Sequence, residues 1–140
     1  MRTQPDYFYN QSAVIPFRRR CDRLEILLIT SRRRKRWIIP KGVVEQDLTP
    51  IESAQKEAFE EAGVEGIVRG QSLGIYENEK WGGICRVAVY AMQVKTVHDT
   101  WPEDDRTREW TDLETAAERV HEAELEAMIL ALPTVVRKNF

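Results

Sequence analysis

The stretch GVVEQDLTPIESAQKEAFEEAGV, Gly42 to Val64, decides how the chain is read. Thr49 is a good N-cap, Pro50 suits the first helical position, and Glu52 stands three residues after Thr49 as in a capping box. Ile51, Ala54, Ala58 and Ala62 recur every three or four residues and form one apolar stripe. Gly63 is the residue expected just past a helix C-terminus. The pattern therefore predicts a helix from Pro50 to Ala62. Glu57, Glu60 and Glu61 fall in its last two turns, where like charges three and four apart repel by a few tenths of a kcal/mol. Carboxylates are also unfavourable near the negative end of a helix. A positive partner would turn both costs into gains. Hard cations such as Mg²⁺ take oxygen ligands and share them with substrate phosphates.

Before this helix, Ser12–Phe17 is an apolar run read as a strand, with Pro16 pointing to an edge or a bulge. Arg18–Arg23 reads as a turn, and Leu24–Thr30 as a strand buried on most of its surface. Ser31–Arg36 is a charged loop, Trp37–Pro40 enters a short strand, and Pro40–Pro50 is a loop in which Gly42 is free to take unusual angles. After the helix, Gly66–Glu77 and Ile84–Val97 read as a strand pair joined through Asn78–Gly83. Thr107–Leu113 is a short strand and a helix start capped by Asp112 or Thr111, and Ala123–Pro133 is an amphipathic helix that Pro133 ends. The order β-β-β-α-β-β-β-α-α predicts α/β or α+β architecture, with helices packed on a sheet that is not purely parallel.

The 140 residues suit one domain, 1–140, and the 42% hydrophobic, 31% charged composition is that of an ordinary soluble protein. No apolar run approaches a membrane span, and Met1–Asn10 lacks the apolar core of a secretory signal. Cys21 and Cys85 stand in no metal spacing and read as reduced thiols of a cytoplasmic protein. The net charge is −2, but residues 1–41 hold eleven basic against three acidic residues and residues 42–140 hold ten against twenty. An acidic centre beside a basic strip suits a cation with a polyanionic ligand; two solvated faces are the plainer alternative.

The Gly42–Val64 stretch resembles the Nudix box: Gly, five residues, Glu, seven residues, then Arg-Glu-apolar-any-Glu-Glu-any-Gly-apolar. Gly42, Glu57, Ala58, Glu60, Glu61, Gly63 and Val64 match without a gap, whereas Leu48 replaces the early glutamate and Lys56 the arginine. Lysine keeps the charge and loses the planar fork; Asp47 or Glu45 is a candidate stand-in for the missing carboxylate. The flanking Arg36–Gly42, Gly74–Asn78 and Arg108–Ala116 resemble the diphosphoinositol polyphosphate phosphohydrolase branch, although Pro40-Lys41-Gly42 is widespread in diadenosine-type Nudix enzymes.

The resemblance implies an α/β/α sandwich and a Mg²⁺-dependent hydrolase, with Mn²⁺ as the other metal, cleaving a diphosphate linkage in a diphosphoinositol polyphosphate or diadenosine polyphosphate. It makes Glu57, Glu60, Glu61 and Lys56 the catalytic set, and Gly42, Glu57, Glu60 and Glu61 the metal set. Glu57 is the candidate for general base. Arg18, Arg20, Arg32, Lys41 and Arg108 are the candidates for substrate phosphates, the strand-end arginines being expected to converge on one opening. Lys80 and Trp81 are weighed as a cover over the substrate or an exposed turn, Trp101 as a base-stacking ring or a partly buried one. Pro102–Asp105 is weighed as a source of a base or as a solvated acidic turn, Trp110 reads as structural, and His98 and His121 read as surface residues. The alternatives are an RNA 5′-pyrophosphohydrolase and a catalytically weak scaffold that binds a nucleotide. A small polyphosphorylated partner is expected, with nucleic acid second, no membrane, and the oligomeric state open.

Overall fold

The computed structural model describes residues 8–33, 35–80 and 82–140. The expectations for Trp81 and the Lys80 side chain lie outside the described residues. The strands are β1 (Phe8–Arg20), β2 (Arg23–Thr30), β3 (Trp37–Ile38), β4 (Lys41–Val43), β5 (Val64–Val68), β6 (Gly74–Lys80), β7 (Gly83–Val97) and β8 (Arg108–Asp112). The helices are α1 (Pro50–Glu57), continued by a π turn (Ala58–Ala62), then α2 (Leu113–Arg119), α3 (Ala123–Leu130) and α4 (Leu132–Asn139).

Among the described residues the strands form one mixed sheet, with β3-β2-β1-β7-β5 in order, β4 beside β1, β6 beside β7 and β8 beside β2. β1 and β7 run parallel at its centre. Cys21 and Asp22, at φ 52° and 62°, form a two-residue turn of type I′ between Arg20 and Arg23, the turn whose twist matches paired strands.

Pro16 lies in this central strand rather than at an edge. On one side of β1, β4 pairs with Gln11–Ala13 and β2 with Phe17–Arg20. Pro16 falls in the gap where one neighbour gives way to the next, so its missing N–H costs no bond on that side. The predicted strand Gly66–Glu77 is broken into β5 and β6, which pair with successive parts of the long β7. The expected loop after Pro40 contains β4. Pro133 opens α4 instead of ending the preceding helix, since its fixed φ suits a first turn.

Two cores flank the sheet. Val14, Leu27, Ile29, Val64 and Met92 meet Ala54, Ala58 and Ala62 on the α1 side. Ala13, Ile15, Phe17, Ile26, Leu28, Val87 and Val89 meet Ala116, Leu125, Ile129, Leu132 and Val136 on the other. Helices thus cover both faces, as the expected α/β/α sandwich requires. The three alanines of α1 and its π turn are fully buried; their small size lets the helix backbone come close to the sheet, and larger side chains there would overpack it by about 1–3 kcal/mol.

Candidate metal and diphosphate site

The predicted capping box is present: the Thr49 side chain accepts from the Glu52 N–H at 3.1 Å, and the Glu52 carboxylate accepts from the Thr49 N–H at 2.9 Å. The far end departs from the plain helix expected. The Gly63 N–H reaches both the Phe59 and Ala58 carbonyls, the second bond spanning five residues as in a π turn. Gly63, at φ 67°, closes the turn in the left-handed region. A wider turn rotates each residue by less than the roughly 100° of an α-helix. Glu57 and Glu61, four residues apart, share one face of this helix end, and Lys56 Nζ lies 3.8 Å from Glu60 Oε1.

Glu57 and Glu61 are close enough for each carboxyl to act on the other's ionisation. Their position is set by β4. A Cβ on Gly42 would stand 2.3 Å from Glu57 Cδ, so no larger residue fits without displacing that carboxyl. The Lys41 N–H donates to Glu61 Oε1 at 3.4 Å. Burial pushes the Glu61 pKa up to about 8, against the opposing pull of the Arg106 guanidinium; burial also raises Glu57, which Glu60 raises further. A half-buried and a buried carboxyl whose charges repel each other form a donor pair that fits a hard dication. Among the described residues no three carboxylate, histidine or cysteine side chains already converge at metal-binding separation.

A second layer surrounds the pair. Arg106 lies 4.0 Å from Glu61 and 2.9 Å from Glu103, and donates to the Thr30 carbonyl at 3.0 Å. The Glu103 N–H donates to the Glu60 carbonyl at 2.9 Å. The acidic turn Pro102–Asp105 thus docks on the glutamate helix. Sequence reading leaves Arg106 unmarked; its only signal is the i,i+3 spacing from Glu103. Lys56 binds both oxygens of Glu45, at 3.0 and 2.7 Å. Leu48 is half-buried and faces a groove of about 540 Å³ with Val44, Pro50, Ile75 and Tyr90, where an apolar side chain is at home.

The proposed phosphate ligands do not converge. Gly42 is in register with Ser12 on β1, so Arg18 and Arg20 stand about 20 and 26 Å further along that strand at 3.3 Å per residue. Arg18 binds Glu25 at 2.8 Å and covers the Trp110 ring at 4.0 Å. Arg108 is also diverted: it donates to the carbonyls of Ala62 and His98 at 2.9 and 2.6 Å and lies 3.8 Å over the Trp101 ring. Trp101 in turn donates to the Glu61 carbonyl at 3.1 Å, so both tie down the end of the π turn. His98 binds Glu65 at 2.6 Å. Arg32 does reach the site's border, where it forks onto Asp105 at 3.1 and 3.0 Å and lies 3.6 Å from Glu103. Lys41 stands on β4 next to Gly42.

A mixed sheet between helices, with paired glutamates of a helix end facing a glycine strand, defines the class. Residues 9–132 match the NUDIX domain, and the chain belongs to the Nudix hydrolase family. It is 39% identical over 108 residues to "Nudix hydrolase 13, mitochondrial" of Arabidopsis thaliana, covering 69% of this chain and 54% of that protein. It is 33% identical over 115 residues to human "Diphosphoinositol polyphosphate phosphohydrolase 3-alpha", covering 80% and 69%. The chain thus spans about half the length of the plant relative. A crystal structure of a C. elegans Ap4A hydrolase superposes with a TM-score of 0.78 over 93% of this chain and 99% of its own, at 18% identity, a likeness of fold. No described helix is long and apolar enough to cross a membrane.

Proposed function

We propose that this chain, as one domain, is a divalent-cation-dependent pyrophosphohydrolase of small polyphosphorylated substrates. The preferred substrates are a diphosphoinositol polyphosphate or a diadenosine polyphosphate. The observation that carries this reading is the buried Glu57–Glu61 pair held against Gly42. The name of the human relative at 33% identity supports the first substrate class. A cytoplasmic location is part of the proposal and rests on two free cysteines, one of them exposed.

Glu57, Glu60 and Glu61, with the Gly42 carbonyl, would hold Mg²⁺ or Mn²⁺. Such an ion neutralises diphosphate oxygens and lowers the pKa of bound water. The rest falls to the chain. Glu57 is half-buried while Glu61 is almost wholly covered, so Glu57 is the carboxylate better placed to take a proton from attacking water. Arg106 keeps Glu61 from becoming still harder to ionise. Arg32 can exchange the exposed Asp105 for a phosphate, which accepts the same fork. Lys41 adds a second cation beside the glycine strand.

The test is phosphate release from diphosphoinositol polyphosphate, diadenosine polyphosphates, ADP-ribose and 5′-triphosphorylated RNA, each with Mg²⁺, Mn²⁺ or EDTA. Turnover of the first or second class, abolished by EDTA and by Glu60→Gln, is expected. Preference for RNA would overturn the substrate assignment, and silence from folded protein would overturn the enzyme reading.

A further inference from the structure

The loop between β4 and α1 is fastened to the helix at two points one turn apart. The first is Ser53, fully buried, whose hydroxyl donates to the Val43 carbonyl and accepts from the Glu45 N–H, both at 3.3 Å. The second is the Glu45 carboxylate, whose two oxygens hold Lys56 Nζ. A turn closed by the Leu48 N–H on the Glu45 carbonyl, at 3.1 Å, presents Glu45 to the helix while Leu48 lines the groove.

Lys56 is enclosed by acids. Besides Glu45 it feels Glu60 and Glu57, and its Nζ makes a loose ion pair with Glu60 at 3.8 Å while its hydrogen bonds go to Glu45. Since Lys56 and Glu60 are i,i+4 neighbours on a helix, closing this loose pair into a hydrogen bond takes only a small side-chain movement. Glu45 outcompetes Glu60 because its backbone is already anchored by Ser53, so little chain freedom is lost in forming the fork.

We infer that Glu45 is a positioning residue that holds the Lys56 ammonium off Glu60 and so leaves Glu60 available to a divalent cation. This rests on the metal role proposed above for Glu60. Without Glu45, Lys56 closes onto Glu60 and competes with the cation for its oxygens. As an exposed pair, Glu45–Lys56 contributes little to folding, so its effect falls on the metal site.

Mn²⁺ binding measured by electron paramagnetic resonance, without substrate, separates these effects. Glu45→Gln is expected to weaken Mn²⁺ binding roughly tenfold, as loss of an outer partner of a ligand does, while moving Tm by no more than about 5 °C. Glu45→Asp is expected to recover part of the affinity. The decisive variant is Glu45→Gln with Lys56→Met: removing the freed ammonium should bring the affinity back towards wild type. Unchanged Mn²⁺ affinity in Glu45→Gln overturns the inference, and so does a double variant as weak as the single, which would mean a plain structural staple. A folded wild-type chain that binds no Mn²⁺ removes the proposed function and this inference with it; a wild-type chain that binds Mn²⁺ yet is insensitive at Glu45 removes the inference alone.

Discussion

Replacing Glu61 by glutamine should stabilise the metal-free protein, by an amount that builds as pH rises above 4.5. In the fold Glu61 is 7% exposed and its pKa stands at about 8, against 4.5 for a free glutamate. Below pH 4.5 the carboxyl is protonated in both folded and unfolded chains and contributes no difference. Between 4.5 and 8 the unfolded chain releases a proton that the folded chain keeps, so stability falls as pH rises. Above 8 the folded chain carries a buried charge and the full penalty is in place. At 1.36 kcal/mol per pH unit the rise corresponds to about 5 kcal/mol. Water entry and side-chain relaxation on ionisation reduce this, leaving about 2–5 kcal/mol as the expected gain for Glu61→Gln at pH 9. Urea unfolding in EDTA, at pH 4.5, 7 and 9, measures it as the difference in free energy between variant and wild type. The difference should be near zero at pH 4.5, should grow through pH 7 and should level off above pH 8. Adding Mn²⁺ should shrink it by stabilising the wild type. A difference that does not vary with pH would refute the reasoning, because it would show that glutamine acts through packing and not through a displaced proton.

Gly42→Ala places a methyl group 2.3 Å from Glu57 Cδ, so Glu57 must turn aside. Turnover should fall roughly a hundredfold while stability by urea unfolding changes by less than about 1 kcal/mol. Arg108→Met strands the Ala62 and His98 carbonyls and should cost about 3 kcal/mol of stability by the same assay, with KM unchanged in the protein that remains folded; a raised KM would return Arg108 to the phosphate site. Arg32→Ala should raise KM for a polyphosphate roughly tenfold or more, whereas Arg20→Ala, some 26 Å along β1 from the glycine strand, should change it by less than about twofold; equal effects would contradict the placement of the two arginines.

The arginines show where linear reading stops. Arg18, Arg20 and Arg32 belong to one basic stretch of sequence, yet β2 separates them: the Arg20–Arg23 turn stands at one end of that strand and the Ser31–Arg36 loop at the other. Charge clustering along a chain does not survive a strand of eight residues, because extended backbone carries its ends about 26 Å apart.

What the sequence determined by itself was local. The capping pair Thr49 and Glu52, the alanine stripe and Gly63 each act within a few residues, so they specified the helix and the place of the three glutamates along it. The α/β or α+β class, with helices on a mixed sheet, followed from patterns of the same short range, whereas β4, the break between β5 and β6 and the separate α4 did not. Tertiary structure decided the rest. It placed Gly42 under Glu57, brought Arg106 and Glu103 to Glu61 from the far side of β7, and gave Lys56 to Glu45. It also widened the helix end into a π turn that Gly63 closes. These outcomes depend on burial and on partners distant along the chain, and neither is written in the spacing of the residues concerned.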